Sequence, residues 1–154
     1  MPHLPNAELV AKAWFLGVTG IPPNAVASTL PTSLEAWPDG FLQVAAIPGS
    51  SAEMHLLKRR SMLDVTAWAQ PKTPGSDKPR WNLAASIAEI AHKACYNDMV
   101  IGATGIQRLL TLPAAYYPAR VTAVIPEEVA RRGEDENSNA AFGFELQMHW
   151  ITVV

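Results

Sequence analysis

An α+β fold is what this chain predicts: one antiparallel or mixed sheet with two main helices packed on one of its faces, in the order α-β-β-α-β-β. Three segments carry that prediction. In residues 142–153, Phe142, Phe144, Leu146, Met148 and Trp150 alternate with Gly143, Glu145, Gln147 and His149, which is the period of a half-buried strand. Residues 57–69 alternate too: Leu57, Arg59, Ser61, Leu63, Val65, Ala67 and Ala69 fall on one, mostly core-like face, and Lys58, Arg60, Met62, Asp64, Thr66 and Trp68 on the other. Residues 82–97 place Leu83, Ile87, Ile90, Ala91, Ala94 and Cys95 at spacings of three and four, which gives a helix one apolar stripe. With 154 residues, the chain is sized for a single domain spanning 1–154.

The elements follow in order. Residues 6–16 read as the first helix, with Asn6 able to cap it and Glu8 suited to its first turn. Gly17, Gly20, Pro22 and Pro23 end it. Residues 22–40 carry Pro22, Pro23, Pro31 and Pro38 and read as irregular, with Trp37 anchoring the segment on the core or on a neighbour. Residues 41–47 form a short apolar strand ended by Pro48 and Gly49. Residues 50–53 are read as a turn or short loop before the long strand 57–69. A basic Pro/Gly/Ser linker, 70–80, leads to the alanine-rich helix. Residues 106–112 read as a strand whose apolar residues do not alternate cleanly, and 120–125 as another. Residues 126–139 hold five acids and two arginines and read as a long exposed connection. That connection makes 126–141 the extended loop of a closing antiparallel hairpin.

Composition narrows the function classes. Apolar residues make up 49% of the chain and charged residues only 17%, below the usual quarter. That balance suits either a subunit with buried interface or a compact monomer with a large core. A formal net charge of −2 argues against a dedicated nucleic-acid binder. The lone cysteine, Cys95, cannot build a disulfide framework and reads as a buried structural thiol. No apolar run is long enough to cross a bilayer, so no membrane partner is expected. The start of the chain lacks the pattern of a secretory signal.

The motifs of catalysis are missing. His3, His55, His92 and His149 do not fall in a metal-binding spacing, and one cysteine cannot form a thiolate zinc site. His92 and His149 read as structural or surface histidines. Gly102, Ala103, Thr104 and Gly105 lack the lysine and spacing of a phosphate loop. Ser50 and Ser51 after Gly49 do not make a nucleophile elbow. Asp64 and Asp98 have no sequence reason to meet as an acid/base pair. The expectation is a protein that is not an enzyme and uses no cofactor or metal.

What remains is surface. Lys58, Arg59 and Arg60 read either as a solvated strand start or as a charged surface facing a subunit or passing DNA. Alternation puts Lys58 and Arg60 on the mixed face with Asp64 and Trp68, and turns Arg59 toward the helices. Trp68 needs a cover, and aromatic residues beside arginine are frequent at interface centres. Lys58, Arg60, Asp64 and Trp68 are therefore the candidate channel or subunit-interface residues.

The layout resembles the tail terminator, or head–tail joining, proteins of long non-contractile-tailed bacteriophages of actinobacterial hosts. The resemblance spans residues 7–154. It rests on the opening ELVAKAWF, the proline-rich bridge to GFLQVAAI, the strand RRSMLDVTAWA, the helix WNLAASIAEIAHKAC and the closing ELQMHWITVV. It implies a structural virion protein at the head–tail junction, assembled in the host cytoplasm. It further implies a homo-oligomeric, hexameric ring that contacts the tail-tube protein on one side and a head-completion or connector protein on the other. Phage DNA would pass through it without specific binding. On that resemblance Lys58 and Arg60 lie near the channel or subunit seam. Residues 126–139 become an extension toward a neighbouring ring, offering Arg131, Arg132, Glu134, Asp135 and Glu136 as contacts. A head-completion adaptor or tail-tube subunit is the neighbouring alternative. A small cytoplasmic ligand-binding or enzymatic α+β domain is the alternative of another class.

Overall fold

The computed structural model describes residues 1–31, 37–55, 57–73, 78–96, 106–133 and 139–154. The expected α+β architecture is present: a mixed sheet carries both helices on one face. Helix α1 is Ala7–Leu16. Asn6 caps it, its Oδ1 accepting the Leu9 N–H at 2.9 Å. Val10, Ala11, Trp14 and Phe15 form its buried stripe. Helix α2 is Trp81–Ala94, shorter than the expected 82–97 within the described residues. Ala84, Ile87, Ala88 and Ala91 face the sheet, and three alanines among these four let the helix lie close to the strands.

The strands are β1 (Val26–Ala27), β2 (Phe41–Ala46), β3 (Ala52–His55), β4 (Lys58–Ala69), β5 (Leu109–Leu110), β6 (Ala119–Pro126), β7 (Arg131–Arg132) and β8 (Ala140–Thr152). Their order is β1-β2-β4-β8-β6-β5, with β3 beside β4 and β7 beside β8. Only β1–β2 is parallel among the named pairs. The centre is β4 against β8, paired from Lys58–Ile151 to Ala69–Ala140. Alternation settles this register, because a one-residue slip would turn every core residue outward. Leu63, Val65, Ala67, Phe144, Leu146, Met148 and Trp150 are all buried under the helices.

Four expectations need correction. The irregular 22–40 stretch contains β1, which covers the edge of β2 through pairs Val26–Leu42 and Ala27–Gln43. The expected turn or short loop at 50–53 ends in β3, which continues the line of β2 along β4 and carries an irregularity between Glu53 and His55. There Ser50 Oγ accepts the Met62 N–H at 3.2 Å and donates to Ile47 O at 2.6 Å. The expected strand 106–112 shrinks to Leu109–Leu110. The reason is side-chain competition for its start: Ile106 O accepts the Trp14 Nε1–H at 3.0 Å, and the Arg108 guanidinium lies 4.6 Å over the Trp14 ring while donating to Trp14 O at 2.7 Å. Finally, the connection 126–139 is not wholly free, since Arg131 and Arg132 pair with Gly143 and Phe142.

Gly40 shows how tightly α2 meets the sheet. Its φ is +98°, and a Cβ there would run into Ile87 Cδ1 and approach Trp68 O at 3.2 Å. Arg80, just before α2, donates to Gln70 O at 2.6 Å and Pro38 O at 2.7 Å. It thereby ties the helix start to the end of β4 and to the proline-rich segment.

Candidate interaction face

Both helices cover one face of the sheet, so the other face is open among the described residues. The register fixes its rows. Lys58 on β4 stands beside Ile151 on β8, and Ile151 beside Arg120 on β6. Next come Arg60, His149 and Ala123, then Met62, Gln147 and Ile125, then Asp64 and Glu145, then Thr66 and Gly143. The irregularity between Val121 and Ala123 keeps Val121 and Val124 in the core while Arg120, Ala123 and Ile125 face out.

This face is charged, partly apolar and, among the described residues, without an ion pair of its own. Arg60, Asp64, Arg120 and Glu145 are exposed, as are Leu109 at 52% and Ile125 at 46%. Ion pairs among the described residues are Lys93–Glu89 at 2.8 Å and Arg131–Glu128. Neither involves the open face. Asp64 and Glu145 sit directly opposite each other, where like charges repel. At the other end, burial, with the charges of Lys58 and Arg60, holds the His149 imidazolium pKa below the usual histidine range. His149 Nε2 lies 2.8 Å from Gln147 Oε1.

The four residues singled out from sequence do share this face. Lys58, Arg60 and Asp64 lie on its open part. Trp68 lies at one end, half-buried, under a cap formed by the proline-rich segment. Its Nε1–H donates to Gln43 Oε1 at 3.0 Å, and it packs on the Ala25, Trp37 and Phe41 cluster. Its cover is therefore intramolecular, and Trp37 at 1% exposure is the anchor of that segment. Arg131 and Arg132 have partners within the chain: Arg131 pairs with Glu128, and the Arg132 guanidinium lies 3.6 Å over the Trp81 ring. The other proposed contacts of that loop, Glu134, Asp135 and Glu136, lie outside the described residues.

Sequence reasoning missed Arg120, Gln147, Ile125 and Leu109 as members of this face. The signal for Gln147 was present, in the same alternation that placed Glu145 and His149. The others needed the β6 register, which the irregularity hides.

The helix side holds a smaller feature. Arg59 turns that way, as expected, and with Glu53, Trp150, Ser51, Ala52, Asn6 and Ala7 it lines a cleft of about 280 Å³. Ser51 Oγ and Ser61 Oγ lie 2.8 Å apart behind it. His92 is structural: its Nε2 lies 2.9 Å from Glu128 O and its ring meets Phe144 edge-on at 5.0 Å. Cys95 is 3% exposed, and burial pushes its thiol up to about 12. Among the described residues no group of three or more His, Cys, Asp or Glu could hold a metal ion. None of their helices is long and apolar enough to cross a membrane. No protein-family model matches the chain, and no curated protein matches it at a significant level.

Proposed function

We propose that this chain is a structural subunit of a bacteriophage virion, a tail-terminator-like protein that assembles into a homohexameric ring at the head–tail junction. In this reading it contacts the tail-tube protein on one side and a head-completion or connector protein on the other. It performs no catalysis and needs no cofactor. The observation that carries the reading is the open sheet face. Lys58, Arg60, Arg120, Asp64 and Glu145 stand there among Met62, Ile125 and Leu109 without an ion pair among the described residues. A surface of mixed charge with half-exposed apolar residues suits a protein contact better than a reaction. Its acids also limit any attraction for passing DNA, which a conduit requires.

Arg131 and Arg132 hold the base of the 126–141 extension against β8 and α2. In this reading the segment contacts a neighbouring ring, as the resemblance implies. The test is reconstitution with the tail-tube protein of the same virion. A six-copy ring bound at the tube end supports the proposal. A chain that stays monomeric and leaves the tube uncapped removes it. The cleft at Arg59 supports the alternative of a small ligand-binding domain, and co-purification of a metabolite with the monomer would favour that reading.

A further inference from the structure

The open face is antisymmetric in charge about a single row. Met62, Gln147 and Ile125 stand side by side on β4, β8 and β6. Two residues along the strands in one direction stand Arg60, His149 and Ala123. Two residues in the other direction stand Asp64 and Glu145. A strand residue rises about 3.3 Å, so the two charged rows lie about 7 Å to either side of the central one. We infer that two copies of this chain pair face to face through the open sheet, about a two-fold axis running across the strands along the Met62–Gln147–Ile125 row.

Such an axis reverses strand direction and leaves each strand over its own counterpart. Arg60 of one copy then lies over Asp64 of the other, and His149 over Glu145, each contact occurring twice by symmetry. Packed sheets stand about 10 Å apart, a gap that facing arginine and carboxylate side chains can bridge. Met62 and Ile125 meet their own copies at the centre and exclude water there. Lys58 falls opposite Thr66. The cap over Trp68 stands at one end of the face, six residues along β4 from Met62 and beyond the paired charged rows.

The surface matches a second copy better than a polyanion. DNA would be drawn to Arg60, Lys58 and Arg120 but repelled by the exposed Asp64 and Glu145 two rows away. The pairing also relieves the Asp64–Glu145 juxtaposition, which has no ion pair among the described residues. It goes beyond the ring reading. A two-fold pair closes at two copies and covers the face, so paired molecules are withheld from ring assembly until the tail tube competes for them.

The experiment uses the full-length chain, with native mass spectrometry and sedimentation over a concentration and salt series. The wild type is expected to form dimers that weaken as salt rises. Arg60→Glu sets acid rows against acid rows, and Asp64→Arg sets basic against basic. Each variant should raise the dimer dissociation constant about tenfold or more, with unchanged thermal unfolding of the monomer because both positions are exposed. Mixing the two variants restores complementarity at both contacts, and so does the double swap on one chain. Dimers should return in both cases. A wild type that stays monomeric would overturn the pairing. So would reversals that leave the dissociation constant unchanged, a double swap that fails to restore dimers, or DNA binding at this face without pairing. Dimers without any hexamer on tail tubes would remove the ring alone, and hexamers from a chain that never pairs would remove the pairing alone.

Discussion

Replacing Gly40 with alanine isolates the contact that seats α2 on the sheet. The backbone there has φ +98°, and the added methyl meets Ile87 Cδ1. Ile87 is 3% exposed and has little room to move. The left-handed backbone costs a side-chain-bearing residue about 1–2 kcal/mol, and overpacking a filled core adds about 1–3 kcal/mol. Together these give about 2–5 kcal/mol, or roughly 5–15 °C in Tm for a chain of this size. Gly49→Ala is the control. Its φ is +78° with nothing within 4 Å, so it should show the backbone cost alone, about 1–2 kcal/mol. Ile87→Val removes the clashing Cδ1. Alone it should cost about 0.5–1.5 kcal/mol, but in the Gly40→Ala background it should recover stability. Urea and thermal unfolding of the four proteins in the Gly40/Ile87 cycle, with the control, give the coupling directly. If Gly40→Ala costs no more than Gly49→Ala, or Ile87→Val adds its full cost in both backgrounds, the packing argument fails.

Other consequences are as direct. His149 is held below its ordinary pKa by burial, then by Lys58 and Arg60. The unfolded chain therefore takes up that proton first as pH falls below about 6.5, and the His149 contribution to stability declines from there down to the folded-state value. Histidine NMR titration should show the low value, and Lys58→Met with Arg60→Met should raise it; an unmoved midpoint would reject the electrostatic part of the cause. Cys95, with its thiol raised to about 12 by burial, should resist iodoacetamide in the native protein and react once urea unfolds it. Fast native labelling would contradict its placement. Arg80→Met removes donors from Gln70 O and Pro38 O and should cost about 1–3 kcal/mol in urea unfolding; a neutral effect would show that these bonds do not hold the segment.

Much of this fold was legible because its centre obeys a simple period. Residues 57–69 and 142–153 alternate without interruption, so their buried faces, and with them the open face, could be read residue by residue. The 82–97 pattern gave the core stripe of α2 through Ile87 and Ala91, and Asn6 gave the start of α1. The irregular edges were not legible. Strand β1 is two residues long and exists only because β2 offers an edge. Strand β3 follows a turn in which Ser50 bonds Met62, a long-range contact that local sequence does not encode. The segment 106–112 was misread because Trp14 and Arg108, far apart in sequence, compete for its backbone surroundings. The same limit applied to the candidate face. Lys58, Arg60 and Asp64 could be placed together by alternation, whereas Arg120, Ile125 and Leu109 join them only through the irregular β6 register. Trp68 was assigned a need for cover, and tertiary contacts decided that Trp37 and Phe41 provide it.

We propose that this chain is a ring subunit of a phage tail, and native mass spectrometry with purified tail-tube protein tests that proposal most directly. The account predicts a complex containing six copies of this chain bound to the tube, weakened by Arg60→Glu or Asp64→Arg on the open face. A chain that remains monomeric or dimeric at every ratio of tube protein, with no six-copy complex, would contradict it.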